Sequence, residues 1–404
     1  MSDPDARFAF SGSYAPEDVI FLMKPVRVEL TSVADKERAI RSGRSHYSEM
    51  LSPEMIPDET YMRLYRAALA RNAKRLAGDV GYLAGEILRT VGPQPVIVSL
   101  ARAGTPIGVL LQRALRRRKV RSAHYSVSII RDRGIDLVAM EAIINRHGDK
   151  NIVFVDGWTG KGTINRELRH ALSGTVIPSR LCVVADPAGV ADISATCSDY
   201  LIPSGILNGI VSGLVSRSVL NEQYVGPGDF HACMFLEEHS EADETMAFIE
   251  AIEAEARNGN PRPVTGSRST TTRDASIRSI QNVMLQFAIN DPNHIKPGIA
   301  ESTRALLRRM PRAICLGDRG DQDLLHLYHL AEFKGVDMST AEQNPATRRR
   351  KSRPLGGASG ERREGVARPE FPACGVGDFG EGFSLPFGRG FGRDGSFRRS
   401  SRGC

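Results

Sequence analysis

The chain has 404 residues, 41% hydrophobic and 25% charged, enough to bury a sizeable core and to fill two or three domains. No apolar run reaches the length of a membrane-spanning helix, and the N-terminus MSDPDARFAF lacks the basic and apolar regions of a secretory signal. The net charge of +7 is local: residues 345–404 hold 12 Arg and 1 Lys against 6 acidic residues, 13 − 6 = +7, so residues 1–344 sum to zero. A nucleic-acid reading must therefore rest on that tail or on local patches. The six cysteines (Cys182, Cys197, Cys233, Cys315, Cys374, Cys404) form no CxxC pair and no metal-ligand spacing, which suits a reduced, cytoplasmic chain.

Taken in order, residues 1–60 mix short apolar runs with Pro and Gly punctuation. Tyr61, Leu64, Tyr65, Leu69, Leu76, Val80 and Leu83 recur at helical spacing and predict a helix over 60–90. Val96 to Leu100 read as a short buried strand, followed by the small-residue loop ARAG and a helix over 106–118 that ends in basic residues. HYSVSII is a further strand, 136–146 a helix, 152–155 a strand, a helix starts near Ile164, and RLCVVADPAG is one more strand with a turn. Continuous apolar strands alternating with helices predict a parallel α/β sheet covered on both faces. NGNPRPVTGSRSTTTRD, residues 258–274, reads as a linker after a domain over 1–257. Residues 275–340 resume globular patterning, with two helical stretches and a strand AICLG at 313–317. The segment 341–404 is rich in Arg and Gly and is expected to be disordered.

The stretch NIVFVDGWTGKGTINREL, residues 151–168, has the form that holds a phosphate: strand, acid, Gly/Thr/Lys loop, helix. Its spacing excludes a P-loop, because Gly160-Lys161 is followed by Gly162 and Val155 stands where the first glycine belongs. Gly157, Gly160 and Gly162 also fail the dinucleotide fingerprint. The phosphoribosyltransferase pattern fits. Asp156 at the strand end would accept from ribose hydroxyls, while Thr159, Gly160, Lys161, Gly162 and Thr163 would offer N–H groups and hydroxyls to the 5′-phosphate. The loop Ala101, Arg102, Ala103, Gly104 would face a pyrophosphate, with Arg102 as the basic contact. HYSVSIIRDRGID would supply a mobile closing loop whose Arg131 and Arg133 neutralise departing pyrophosphate; a solvated charged turn is the alternative there. Trp158, the single Trp, would stack on substrate or simply pack.

The motifs FSGSYAPEDVIFLMKP, SGRSHYSEMLSPE, SLARAGTPIG, VDGWTGKGTI and ILNGIVSGLVSRSVLN together resemble the StiP family, over roughly residues 8–340. These are phosphoribosyltransferase-like proteins of bacterial tellurite-resistance and stress gene clusters, some labelled cysteine proteases. The resemblance implies a type I phosphoribosyltransferase-like sheet flanked by helices and a role in making a nucleoside- or nucleotide-like metabolite; with the two loops, the expectation is a Mg²⁺-dependent transferase using phosphoribosyl pyrophosphate. It also implies a small Pelota-like, RNA-binding-type domain over 275–340. Folds of this type often dimerise, so a homodimer is one expectation. Many members of the wider superfamily carry two adjacent acids at the strand end; here the second position is Gly157.

Arg44, His46, Tyr47 and Glu49 are candidates for a hood over the acceptor base, against the alternative of a capped loop. Cys233 and His231, two apart in DFHACMF, are the candidate thiol pair for a protease, against ordinary packing of an apolar Cys. A non-catalytic nucleotide- or ribose-phosphate-binding protein coupled to RNA is the remaining alternative. The Pelota-like segment departs from its family near residue 340. The tail then reads either as an Arg/Gly/Phe segment contacting RNA or as a frameshifted end, and the abrupt loss of patterning favours the latter.

Overall fold

The structure, a computed structural model, describes residues 9–258, 270–317, 320–340 and 373–376. Short strands β1 (Ala9–Phe10), β2 (Ile20–Leu22) and β3 (Lys24–Pro25) lead into helix α1 (Val33–Arg41), which Ser32 caps by accepting from the Asp35 N–H. The long helix α2 (Glu59–Val91) opens where the Asp58 carboxylate accepts from the Tyr61 N–H and ends at Gly92, whose φ of 116° suits only glycine. Its inward stripe (Tyr61, Tyr65, Ala68, Leu76, Val80, Leu83, Ile87) keeps the helical spacing read from the sequence.

A run of βα units follows: β4 (Val96–Ala101), α3 (Gly104–Arg117), β5 (Ala123–Ile130), β6 (Gly134–Ile135), α4 (Leu137–His147), β7 (Ile152–Trp158), α5 (Thr163–Ala171), β8 (Leu181–Ala185) and β9 (Ile193–Thr196). The main sheet runs β1-β2-β5-β4-β7-β8-β9, with β6 also paired to β5; β2, β5, β4, β7, β8 and β9 are mutually parallel. Alternate strand residues feed opposite faces. Ile97, Val153, Val155 and Val184 pack with α2 and α3, while Val98, Leu100, Phe154 and Val183 pack with α4 and α5. This is the three-layer α/β architecture that the strand–helix alternation predicts.

The remainder comprises β10 (Ala232–Cys233), parallel to β3, then α6 (Thr245–Asn258), α7 (Thr270–Phe287), β11 (Ile295–Pro297), α8 (Ile299–Arg308), β12 (Ala313–Leu316), α9 (Leu325–Lys334), β13 (Asp337–Thr340) and β14 (Ala373–Val376). Helix α7 begins inside the expected linker, leaving only residues 259–269 outside the described residues there. The second sheet runs β11-β14-β12-β13. Here the expectation of a wholly disordered tail is corrected. β14 comes from the tail and pairs antiparallel with both β11 and β12. The reason is that β11 and β12 do not pair with each other and need a strand between them to satisfy their backbone groups, and ACGV is an apolar run free of the surrounding Arg. The rest of the tail, and with it the frameshift reading, lies outside the described residues.

The two parts of the chain share one core. Ile202 and Leu207 of the first part belong to the same buried cluster as Ile299, Leu306 and Leu327 of the second. Polar contacts reinforce it: Asp323 Oδ1 lies 2.9 Å from Arg71 and accepts from the Asn72 amide at 2.9 Å, and Asp323 Oδ2 accepts from the Leu201 N–H at 3.0 Å. Among the described residues no helix is long and apolar enough to cross a membrane.

Candidate functional site

Strand order reverses at β4: the chain steps to β5 on one side and later to β7 on the other. A crevice at the C-terminal ends of these strands is where open α/β sheets bind ligands. Both loops singled out in the sequence meet there. A Cβ on Gly104 would lie 2.1 Å from the Val155 carbonyl oxygen, so the start of α3 touches the end of β7 because residue 104 has no side chain. The Ala101–Arg102 peptide bond in this loop is cis.

Asp156 stands near the C-terminal end of β7, and its Oδ1 accepts from the Gly157 N–H at 2.8 Å. The residue keeps a partly open face, but its carboxyl is crowded by protein. That desolvation raises its pKa to about 6, against the pull of Arg304. Gly162 follows in the left-handed conformation (φ 76°) and sets up the N-terminus of α5, beginning at Thr163 with no side-chain cap. The first-turn N–H groups of α5 therefore remain for a ligand to satisfy. Gly157, the position of the absent second acid, has room: a Cβ there would sit 3.6 Å from the Ala103 carbonyl oxygen.

Several expected roles change. Thr159 is buried and donates to Asp186 Oδ1 at 2.6 Å, so its hydroxyl holds the loop to the β8–β9 connection and is not spare for phosphate. Arg102 is also committed. Its guanidinium lies 2.6 Å from Glu54 Oε1 and donates to the Val215 carbonyl (2.7 Å) and Asn208 Oδ1 (3.2 Å). Burial alone would push the Glu54 carboxyl up, but Arg102 and the Gly209 N–H outweigh it and hold it below its ordinary value. Ala103 and Gly104 then contribute backbone, not charge.

Trp158 meets the second part of the chain. Its Nε1 donates to Glu301 Oε1 at 3.4 Å, the Arg304 guanidinium lies 4.5 Å from its ring centroid, and Gly205 packs against it. Lys161 likewise donates to the Pro292 carbonyl (2.7 Å) and Asn293 Oδ1 (3.0 Å); burial, then Lys296 and Arg131 nearby, lower it to about 8. Gly160 is overlaid by α8, since a Cβ there would come 2.8 Å from Glu301 Cγ.

The segment Arg131–Arg133 is a tight hairpin turn between β5 and β6, not a long mobile loop, because Ile130 pairs with Gly134. It meets most of the expected hood. The Arg131 N–H donates to the Tyr47 hydroxyl at 2.8 Å, and Arg133 pairs with Glu49 at 3.0 Å. His46 caps the turn over Tyr47–Glu49, with Nδ1 2.8 Å from Ser48 Oγ; desolvation, then Arg133, lower its pKa. Burial raises the pKa of Tyr47. Arg44 is exposed, its Nε donating to Ser42 Oγ at 3.0 Å, and is not brought to this group. Cys233 is fully buried in the main core, which pushes its thiol up, while His231 Nδ1 lies 2.9 Å from Ser128 Oγ. The pair is not arranged as a nucleophile and base.

The sequence reading missed a ring of cations. Asn208 Oδ1 accepts from Arg308 as well as Arg102, both at 3.2 Å. Arg217 donates to the Tyr47 carbonyl at 2.8 Å and to the Met50 carbonyl; burial, with Arg102 adding, lowers it to about 10. Arg308 is exposed on α8; desolvation by the protein packed around it, then Arg304 and Arg102, lower its pKa to about 9. Lys36 on α1 is lowered to about 7 by burial, then by Arg217, Arg308 and Arg309. Asn208 and Arg217 belong to ILNGIVSGLVSRSVLN, and Arg304 and Arg308 stand one helical turn apart in ESTRALLRRM.

The strand order, its reversal at β4 and the two loops that meet there define a three-layer α/β protein with a mostly parallel sheet. Residues 12–253 match the family model described as tellurite-like stress resistance cysteine protease StiP, and residues 274–347 match the PELOTA RNA binding domain. The chain is 40% identical over 339 residues to a protein of Acinetobacter baylyi named cysteine protease StiP, covering 80% of this chain and 88% of that one. It belongs to the StiP family. Similar solved structures include the hypoxanthine phosphoribosyltransferase of Trypanosoma cruzi with the product IMP (14% identical, 43% of this chain, 92% of that chain, TM-score 0.25). Another is the Leishmania tarentolae HGPRT-ase with GMP (15% identical, 35% of this chain, 75% of that chain, TM-score 0.19).

Proposed function

We propose that the protein is a transferase acting on phosphoribosyl pyrophosphate and yielding a nucleoside- or nucleotide-like product. The observation that carries this reading is the meeting of the 101–104 and 156–163 loops at the strand-order reversal, with the Gly104 Cβ position 2.1 Å from the Val155 oxygen. Asp156 would accept from the ribose hydroxyls, and the N-terminus of α5 would take the 5′-phosphate. The bond from the sugar C1 to the diphosphate oxygen breaks, the acceptor atom bonds to C1, and the diphosphate leaves with the electron pair. Catalysis is then mainly electrostatic: a cationic wall favours the departing anion over the bound ester.

Among the described residues no cluster of three or more His, Cys, Asp or Glu could hold a metal ion, and the strand end offers Asp156 without a second acid beside it. Magnesium would enter with the diphosphate oxygens of the substrate, where it would neutralise leaving-group charge. Calorimetry with phosphoribosyl pyrophosphate and Mg²⁺ tests the reading. Binding is expected for the wild type, weakened at least about tenfold in Asp156→Ala by loss of a charged hydrogen-bond acceptor. No heat with the wild type sinks it.

A second reading is favoured by Gly157 and by the Pelota-family match: a non-catalytic ribose-phosphate sensor coupled to RNA. Binding of the sugar diphosphate without pyrophosphate release, across a panel of nucleobases, would select that reading.

A further inference from the structure

We propose that the C-terminal part of the chain completes an anion site in cis: Arg308, with Arg304, forms the recognising wall of a diphosphate site, behind which Arg102 and Arg217, already held by Glu54 and by backbone carbonyls, add fixed positive charge. The assignment of the anion as a diphosphate rests on the transferase reading; the anion pocket itself does not.

The geometry starts at Asn208. Its side-chain oxygen receives one guanidinium from the pyrophosphate-type loop and one from α8, both at 3.2 Å, so two cations 206 positions apart share a single neutral acceptor. An amide oxygen cannot neutralise two positive charges. Arg217, Arg304, Arg309 and Lys36 stand near these two arginines, and the acids of the group are Glu54 on Arg102, Glu301 and Asp156 by Arg304, and Glu37 by Lys36. Cations outnumber carboxylates, six to four. Among the described residues neither Arg217 nor Arg308 has a carboxylate within ion-pair distance; Arg217 rests on the carbonyls of Tyr47 and Met50, and Arg308 on Asn208. Partly desolvated like charges repel, so a fold that gathers them needs a compensating anion.

The position of the excess selects its occupant. It abuts the loop at the end of β4, while the α5 N-terminus beyond Asp156 offers a separate monophosphate seat. Recognition by several planar guanidinium groups next to the 101–104 loop suits a diphosphate. The same helix covers Trp158 and Gly160, so α8 ties the contents of the pocket to the position of the RNA-binding-type module.

The test uses the full chain and inorganic pyrophosphate with Mg²⁺ in a calorimeter, with phosphoribosyl pyrophosphate as a second ligand. The wild type is expected to bind pyrophosphate, more weakly as NaCl is raised. Arg308→Ala is expected to lose about ten- to a hundredfold in affinity, the range of one or two charged hydrogen bonds, and Arg308→Lys to recover part of it. Arg308→Gln, which keeps a donor to Asn208, guards against misfolding as the cause, with its melting curve matched to wild type. Wild-type affinity in Arg308→Ala, or no pyrophosphate binding by the wild type, overturns the inference. Pyrophosphate binding that depends on Arg308, together with phosphoribosyl pyrophosphate binding that is no tighter and indifferent to Asp156→Ala, upholds the pocket and removes the transferase reading.

Discussion

Arg102 and Arg308 donate to the same oxygen, Asn208 Oδ1, each at 3.2 Å. One guanidinium is buried beside Glu54, and the other reaches in from a helix of the second sheet. Replacing Asn208 with Asp keeps the shape and converts a neutral acceptor into an anion between two cations. The melting temperature of Asn208→Asp is expected to rise by a few degrees, equivalent to roughly 1–2 kcal/mol, because hydrogen bonds to charged groups are the stronger ones. Repulsion from Glu54, which accepts from the neighbouring Gly209 N–H, sets the upper limit. Affinity for pyrophosphate should fall at least about tenfold, since the variant carries its own counter-ion. Unchanged affinity would show that Asn208 does not border the anion pocket.

Gly104→Ala tests the seam between the loops. The added Cβ would come 2.1 Å from the Val155 oxygen and 3.1 Å from Asp156 Cα, both backbone atoms that no rotamer change can move aside. A destabilisation of about 1–3 kcal/mol or more is expected from overpacking, read as a lower midpoint in denaturant. Gly157→Ala, whose Cβ meets only ordinary contact, is the control and should melt close to wild type. Equal stability of the two variants would mean that the loops are not in contact.

The legible parts of this fold were those carried by local pattern. α2 keeps its inward stripe, β4 and β7 are continuous apolar runs, and both phosphate-type loops lie where strand, small residues and helix follow one another. What was not legible depends on distant partners. Arg102 looks like a free phosphate ligand until Glu54 is seen against it, and Thr159 looks available until Asp186 takes its hydroxyl. Arg304 and Arg308 reach Trp158 and Asn208 only because Asp199 and the shared core dock α8, a relationship no window of sequence contains. β14 was missed because a four-residue strand flanked by Arg- and Gly-rich sequence has no periodicity to detect.

Asp199 is expected to make that docking pH-dependent. Its Oδ2 accepts from the Ile299 N–H at 2.9 Å, at the start of α8. Burial, against the Ile299 bond and with Asp321 and Asp323 adding repulsion, raises its pKa to about 7. A carboxyl whose folded value lies above its unfolded value binds more protons when folded. Its contribution is fully present below about pH 4 and is lost as pH rises through about 7. In Asp199→Asn the acceptor oxygen stays and the titration goes. The melting temperature of the variant relative to wild type should therefore climb between pH 4 and 7.5. A flat difference across that range would place the titration elsewhere.

The last prediction concerns Gly157, where a second acid would strengthen the ribose site proposed for Asp156. Space is not the obstacle, because a Cβ at Gly157 meets only the Ala103 oxygen at 3.6 Å, and the residue is not among the glycines with positive φ. Charge is the deciding term. Asp156 already sits in a desolvated crevice that lifts it to about 6, and a neighbouring carboxylate lifts it further, so Gly157→Asp in the empty protein should lower stability at neutral pH. Arg304, which already pulls the Asp156 carboxyl down, works against that penalty and limits it. With magnesium and phosphoribosyl pyrophosphate present, two carboxylates on the ribose hydroxyls and metal-bearing diphosphate are worth one further charged interaction, about a tenfold gain in affinity. The expected pattern is a variant that melts lower alone and binds the sugar diphosphate more tightly, with the ligand-induced rise in melting temperature exceeding that of wild type. Weaker binding by Gly157→Asp, at unchanged fold, would mean that this family member uses the space beside Asp156 for something other than ribose.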